Sequence, residues 1–209
     1  AGRIRIHSTD DRATITAQAA DLQAKEVDIT AGNANLNGRI SRHTDRGKAK
    51  ITHQNGVQAR EHQSGSSETY QATRIQAEQF DMNISGNLNI VGTDIQAKNS
   101  NIRGGNVHLG AEKTVNLREH SKNQSKGSWY RNEQESNRVE TTHRTTIAGD
   151  SVNIEATKGK VTAEGAKVSA KTTAIYGEQG VNLRGVKATT TQMARAEFKN
   201  ETARLKTGL

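Results

Sequence analysis

Carboxylates and histidines are the side chains through which this chain could do chemistry. Hydrolysis of a glycosidic bond needs two carboxyl groups that converge on one linkage, and Asp10-Asp11 is the adjacent acidic pair. Neighbouring residues of a strand point to opposite faces, so such a pair does not converge. Asp81, Asp94 and Asp150 adjoin predicted turns, where Asp commonly caps the backbone. We therefore predict that the protein is not an enzyme and has no catalytic residues.

The histidines lack the spacing of a metal site. None stands in a pair such as His-x3-His, and the chain has no Cys, which excludes disulfides and thiol chemistry. No Gly-rich segment precedes a helix that could hold a phosphate. We predict neither a metal nor a cofactor. The tripeptides Arg60-Glu61-His62 and Arg118-Glu119-His120 are identical. Their histidines therefore either meet in space or are solvated side chains beside Glu.

The composition is unusual for a globular domain. Hydrophobic residues without Gly make up 31% and aromatic residues 3%, whereas roughly 45–50% apolar residues, Gly included, are usual. Disordered chains are commonly rich in Pro, and this chain has none but has 19 Gly. Its Asn, Thr, Val and Ile are typical of strands and tight turns. A solenoid combines order with few apolar residues, because each repeat needs only a thin core.

The charge is basic but dispersed. Thirty Lys and Arg against 22 Asp and Glu give a formal net charge of +8. Nucleic-acid readers concentrate such charge and add stacking aromatics, whereas here the cations alternate with acids. We predict no specific nucleic-acid binding. The start Ala1-Gly2-Arg3 does not read as a signal peptide, so we expect a segment of a longer protein.

Short apolar–polar–apolar triplets recur along the chain. Ile75-Gln76-Ala77 returns 20 residues later as Ile95-Gln96-Ala97 and after 20 more as Val115-Asn116-Leu117. Alternation with period two is typical of strands with one buried face. A fixed period stacks these strands in successive coils, and the pattern predicts an all-β, right-handed parallel β-helix with rungs of about 20 residues. We expect Ile95 to point inward between Ile75 and Val115, Gln96 to face water, and both Phe80 and Tyr176 to pack inside.

Two polar stretches interrupt the period, at about 41–74 and 118–146. They are either disordered loops or strands extruded as hairpins, and the persistence of Thr, Val, Tyr and alternating charges favours hairpins. Residues 191–209 are an atypical end that starts either another excursion or a short helix. The remainder of 1–209 is predicted to be a single β-helix segment.

The interruptions hold the candidate partner contacts. Trp129 and Tyr130 lie near the centre of the second stretch, where they either anchor an interface or fold back onto the protein. The other candidates come from the two matching words: Arg60, His62, Arg118 and His120.

Residues 86–122 and 149–171 resemble the haemagglutinin repeats of filamentous-haemagglutinin-type exoproteins, which include effectors of contact-dependent growth inhibition. The polar break around Gly127-Ser128-Trp129 is similar to the second repeat region of that family. The resemblance covers most of residues 13–190. It implies export by an outer-membrane two-partner transporter, a secreted or bacterial cell-surface location, and the target-cell or host-cell envelope as partner.

The predicted function is therefore a non-catalytic fibre segment of a large bacterial exoprotein, supporting adhesion or contact-dependent toxin delivery. The alternative is an adhesin module that itself binds a receptor or glycan. The third class is a β-helical carbohydrate-active enzyme or a phage tailspike-like protein. A groove with clustered acids would favour the enzyme, and a smooth Asn- and Thr-covered shaft would favour the fibre.

Overall fold

The computed structural model describes residues 2–53 and 55–199, without the side chain of Lys199. Over these residues no helix is long and apolar enough to cross a membrane. The secondary structure consists of strands: β1 (Arg3–His7), β2 (Thr14–Gln18), β3 (Asp21–Gln23), β4 (Glu26–Ala31), β5 (Asn33–Asn37), β6 (Arg39–Thr52), β7 (Gln58–Gln71), β8 (Thr73–Ile84), β9 (Asn87–Val91), β10 (Thr93–Gly104), β11 (Asn106–Lys126), β12 (Trp129–Arg144), β13 (Thr146–Ala156), β14 (Val161–Glu164), β15 (Lys167–Gly177), β16 (Val181–Arg184) and β17 (Thr190–Lys199).

Two parallel sheets form the first compact unit, whose described residues are 2–41, 69–114 and 142–188. The first sheet has the order β1-β4-β8-β10-β13-β15, with β3 also pairing with β8, and the second has the order β2-β5-β9-β11-β14-β16. The chain passes from one sheet to the other and then to the next coil. Each strand therefore pairs in parallel with its equivalent one coil away, which is a parallel β-helix of six coils in the described residues.

The 20-residue period is confirmed where two coils follow directly. Ile75 pairs with Ile95, and Gln76 with Gln96, in the β8·β10 register. Val115 was wrongly predicted as the next member of this column. The residue beside Ile95 on its other side is Ile147, 52 positions along the chain, because a hairpin that begins at Val115 separates the two coils.

Inward side chains form columns along the coil. Ile95 is fully buried, whereas Gln96 is exposed, so the predicted inward and outward faces are confirmed there. In β10 the alternation shifts by one at Lys98 and Asn99, which both point outward; the strand thereby keeps apolar residues inside on both sides of the break. The fully buried inward side chains include Val27, Ile29, Leu36, Ile75, Phe80, Met82, Leu88, Ile90, Ile102, Leu109, Ile147 and Ile154.

Buried threonines tie the two sheets together at one corner of the coil. Thr73 pairs with Thr93, and both are fully buried, as is Thr145. Each hydroxyl donates to a backbone carbonyl of a strand in the second sheet, so the buried polar groups are satisfied. These bonds are Thr73 to Asn37 at 2.6 Å, Thr93 to Leu36 at 3.0 Å and Thr145 to Gly110 at 2.7 Å.

The polar stretches are hairpins, as predicted. Together with β17 they form the second compact unit, which comprises residues 42–68, 115–141 and, from 189 onward, the segment that holds β17. Residues 142–146, which the sequence assigned to the second excursion, belong to the coil. Residues 190–199 form a strand rather than a helix, and 200–209 lie outside the described residues.

The two large aromatics predicted to pack inside differ in outcome. Phe80 is fully buried, but Tyr176 is 59% exposed, so its prediction was wrong. Tyr176 pairs with Glu155, and Glu155 pairs with Arg103, which places the tyrosine in an outward column of charged residues.

Candidate functional site

The hairpin unit is one sheet with the strand order β6-β7-β11-β12-β17. We call it the hairpin sheet. Strands that leave the coil, β6, β11 and β17, alternate with β7 and β12, which return to it. The contacts between successive hairpins, β7·β11 and β12·β17, are antiparallel.

The β7·β11 register divides the side chains between two faces. Arg118 lies opposite Gly65 and His120 opposite Gln63, and directly opposed residues share a face. We call this the Arg118 face. Glu119 and its partner Ser64 occupy the other side, where the Ser64 hydroxyl donates to Glu119 Oε2 at 2.9 Å.

Opposite charges connect neighbouring strands of the hairpin sheet. Lys122 Nζ lies 3.2 Å from Glu61 Oε1, directly across the β7·β11 register. Glu68 accepts hydrogen bonds from Arg42 and from the Val115 amide. These two donors, Arg42 first, hold the pKa of Glu68 below its usual value. Such cross-strand pairs stabilise a sheet that has little apolar surface.

An open cavity of about 960 Å³ lies at the hairpin sheet, and Arg118 and His120 are among the residues that line it. His120 Nε2 and Asn137 Oδ1 are buried and have no hydrogen-bond partner among the described residues. Burying a polar atom without a partner costs roughly 1–3 kcal/mol, so a ligand's polar group there would remove a penalty. All five strands line the cavity: Asp45, Arg46, Gly47, Gln63, Ser64, Gly65, Arg118, Glu119, His120, Glu135, Ser136, Asn137, Gln192, Met193 and Ala194.

The structure does not bring His62 and His120 together. His62 lies opposite Ser121, while His120 lies opposite Gln63. The two histidines are therefore one position out of register and point to opposite faces. His62 Nδ1 lies 3.1 Å from the Gly47 carbonyl, and only His120 lines the 960 Å³ cavity.

The other predicted contact residues are spread over the hairpin sheet. Trp129 and Tyr130 begin β12 directly after the tight turn at Gly127, whose φ of 58° suits glycine. Both aromatic residues are half-buried, and as neighbours they face opposite sides. Arg60 is exposed and lies opposite Asn123.

An aromatic junction lies in the coil where the hairpin strands start and end. Tyr70 and His143 stack with ring centroids 4.1 Å apart, and His143 Nε2 lies 2.9 Å from the Thr114 hydroxyl. Burial, followed by the charges of Glu112 and Asp94, raises the pKa of Tyr70 to about 12. The neutral phenol donates to the Gly92 carbonyl.

Glycine is required beside this junction. A Cβ at Gly92, or at Gly38 on the neighbouring coil, would collide with the Tyr70 ring. Gly92 also has a φ of 58°, which other residues rarely adopt.

Sequence reasoning missed a cluster of three acids on the coil. Glu26, Asp28 and Asp81 can bring one carboxylate oxygen each within 4.8 Å of one another. Arg3 already pairs with Glu26 at 3.0 Å and with Asp28, and Gln79 donates to Asp81. The cluster therefore has internal partners and does not need a cation. The matching triplets Val27-Asp28-Ile29 and Phe80-Asp81-Met82, which pair in register, were the signal that could have found it.

Asparagines form columns on the outer face of the second coil sheet. Asn89 Nδ2 donates to Asn35 Oδ1 at 2.9 Å, and Asn106 Nδ2 donates to Asn87 Oδ1 at 3.1 Å. Asn87, Asn89 and Asn106 line, together with His108, a polar cavity of about 500 Å³. A stacked amide uses one donor and one acceptor on its neighbours and keeps the others for a ligand or water.

A family model described as hemagglutinin repeat matches the chain twice, at residues 64–132 and 126–208. The matches together cover more than two thirds of the 209 residues. The chain belongs to the hemagglutinin repeat family. No curated protein and no solved structure matches it.

The hemagglutinin repeats divide the structure at the hairpins. The first match runs from within β7 to the start of β12, and the second from the end of β11 through β17. Each repeat therefore contains a returning hairpin strand, two coils and the next outgoing strand. Such repeats are typically non-catalytic parts of secreted or cell-surface exoproteins, acting as fibre or adhesin segments.

Proposed function

We propose that the coil is a stiff fibre segment and that the hairpin sheet makes contacts with a target-cell or host-cell envelope, in adhesion or contact-dependent toxin delivery. The protein would reach the surface through an outer-membrane two-partner transporter. The observation that carries this proposal is the unbroken coil register on either side of each hairpin.

The coil pairs correctly although long segments are inserted into it. Val27 pairs with Phe80, 53 positions away, and Ile95 pairs with Ile147, 52 positions away. Between coils without an insertion the step is 19 to 23 positions, for example 20 from Ile75 to Ile95 and 21 from Thr146 to Lys167. A frame that keeps its register in this way allows its inserted segments to vary in sequence, which is how binding residues are commonly carried.

The hairpin sheet has the chemistry of a contact surface. It carries Trp129 and Tyr130 beside a tight turn, and aromatic side chains of this kind frequently anchor interfaces. Arg118 and His120 line its 960 Å³ cavity. Arg60 and His62 are exposed on the other face.

The test replaces residues 115–141 by a Gly-Asn turn in the full exoprotein. We expect secretion at the normal level with loss of adhesion or toxin delivery. The matched control replaces the same residues by a scrambled hairpin that keeps the alternation of polar and charged residues; it should be secreted and equally inactive. Normal adhesion without the hairpin would locate the function elsewhere.

A variant that is not secreted would show that the hairpin is needed for folding, which contradicts the proposed division of labour. The double substitution Trp129→Ala and Tyr130→Ala then separates the two roles. It removes the two half-buried aromatic side chains without shortening either strand, and the variant should be secreted but defective in adhesion.

A glycan-binding adhesin is the second candidate, and the asparagine columns favour it. Amide groups repeated at the coil spacing of about 4.8 Å could hydrogen-bond successive sugar hydroxyls along the shaft. Substituting Asn89 and His108 by Ala should then abolish binding on a glycan array. The matched control is Asn153→Ala, which removes a stacked amide bonded to Asn101 at 3.1 Å on the other coil sheet. Equal binding by both variants would exclude this candidate.

A further inference from the structure

The outgoing strand β6 has a free backbone edge in the hairpin sheet. Among the described strands it pairs with β7 alone. Within the hairpin unit it extends over residues 42–52, and it contains no Pro that would block hydrogen bonding along that edge. An exposed edge of this length is a template for another strand.

The corresponding backbone edges of the two other outgoing strands, β11 and β17, are each covered by a returning strand. Outgoing β11 receives the returning strand β7, with residues 117–125 in continuous antiparallel register. Outgoing β17 receives the returning strand β12, with residues 190–199 in register. Each time a returning strand covers the edge of the next outgoing strand. The corresponding position beside β6 is open in the described residues.

Charge distinguishes β6 from the strands that return. Residues 42–52 carry four cationic side chains and one carboxylate. Arg46, Lys48 and Lys50 alternate along the strand and so share a face, and none of them has an ion-pair partner among the described residues. The returning segments 58–68 and 129–141 each have one more carboxylate than cations.

We propose that the free edge of β6 accepts the returning hairpin strand of another hemagglutinin repeat, by antiparallel strand addition, and that its cations select a strand with surplus carboxylates. This inference rests on the proposed function of the hairpin sheet as a contact surface. Pairing of β6 with a second β6 is disfavoured, because it would place cations opposite cations. We expect the carboxylates of the accepted strand to form cross-strand ion pairs with the cations of β6, as Glu61 already does with Lys122 between two hairpins.

The test uses the 209-residue protein and a synthetic peptide with the sequence of residues 58–71. Hydrogen exchange should show at least tenfold slower exchange at alternate amides of 42–52, those that point to the free edge. The peptide carrying Glu61→Lys and Glu68→Lys should bind at least tenfold more weakly. A peptide with the sequence of 39–52 should not bind.

Protein variants then localise the interaction. The double substitution Arg46→Glu and Lys48→Glu should weaken peptide binding at least tenfold, whereas Arg195→Glu on the opposite edge strand should leave it unchanged. If the double variant does not fold, Lys50→Gln provides a milder change with the same expected direction.

Three results would overturn the inference. The peptide could fail to bind, or it could slow hydrogen exchange in residues 190–199 instead of 42–52. It could also displace β7 from the sheet, which would be seen as faster hydrogen exchange in residues 58–71 of the protein. Any of them can occur while removal of 115–141 still abolishes adhesion. In that case the proposed function stands and the β6 edge inference fails alone.

Discussion

An inward side chain in this coil packs against its equivalents on the two neighbouring coils. Each coil therefore contributes a single side chain to each column of the core. Ile95 lies between Ile75 and Ile147, and all three are fully buried. Water is excluded by this stacking rather than by a deep interior. A polar atom introduced there has neither water nor a hydrogen-bond partner.

Substituting Ile95 by Asp should therefore unfold or severely destabilise the coil, at a cost of about 4 kcal/mol. Gln96→Asp, one position along and facing water, should change stability by about 0.5 kcal/mol or less. Urea unfolding followed by circular dichroism measures both. Equal destabilisation by the two variants would show that the inward and outward faces are assigned incorrectly.

At the scale of elements, Tyr70, His143 and Thr114 form a junction within the coil, on the parts of β7, β12 and β11 that belong to it. Burial lowers the pKa of His143, and the carboxylate of Glu112 acts in the opposite direction. The fold thus favours the neutral imidazole, which can stack on Tyr70 and share a hydrogen bond with Thr114. Protonation would add a charge to a partly buried ring.

The protonation of His143 gives a pH dependence with a definite sign. The unfolded chain, with a His pKa of about 6.5, takes up its proton at a higher pH than the folded chain. The contribution of the neutral junction is therefore complete above about pH 6.5 and is lost as the pH falls through the folded pKa. The urea concentration at the unfolding midpoint should decrease when the pH is lowered from 7.5 to 5.5. His143→Gln should make this decrease smaller. His43→Gln, at an exposed site beside Asp45, is the control and should retain it.

At the scale of the whole molecule, the chain alternates between building a coil and building the hairpin sheet. Leaving and returning segments start close together, since His143 Nε2 lies 2.9 Å from the Thr114 hydroxyl. A hairpin can therefore be removed without stretching the coil. The boundary matters, because Thr145 is fully buried and donates to Gly110 at 2.7 Å.

Replacing residues 115–141 by a Gly-Asn turn in the 209-residue protein should keep the β-type circular dichroism spectrum. Its melting temperature should stay within about 5 °C, because only one or two kcal/mol of coil stability is affected. Replacing 118–146 instead removes Thr145 and should lower the melting temperature further. Identical melting of both variants would show that the threonine bonds do not contribute to the coil.

Local alternation in the sequence determined which segments are strands and, around Ile95, which side chains point inward, although it failed at Tyr176. Ile95 and Gln96 were placed correctly because a strand exposes alternate residues whatever its partner is. Direct repetition also determined the pairing of β8 with β10, since no insertion lies between them. The Thr, Val, Tyr and alternating charges that persist along the interruptions indicated hairpins for the same local reason.

Only the tertiary structure decided which strands meet across an insertion. Ile147 replaces Val115 beside Ile95 because backbone hydrogen bonding joins strands 52 positions apart, and the hairpin between them hides the period. The matching words that end in His62 and His120 belong to strands that run in opposite directions, so similarity in sequence did not make the histidines equivalent in space. The acid cluster around Asp28 and Asp81 arose in the same way, from pairing between coils that the hairpin β6–β7 separates in sequence.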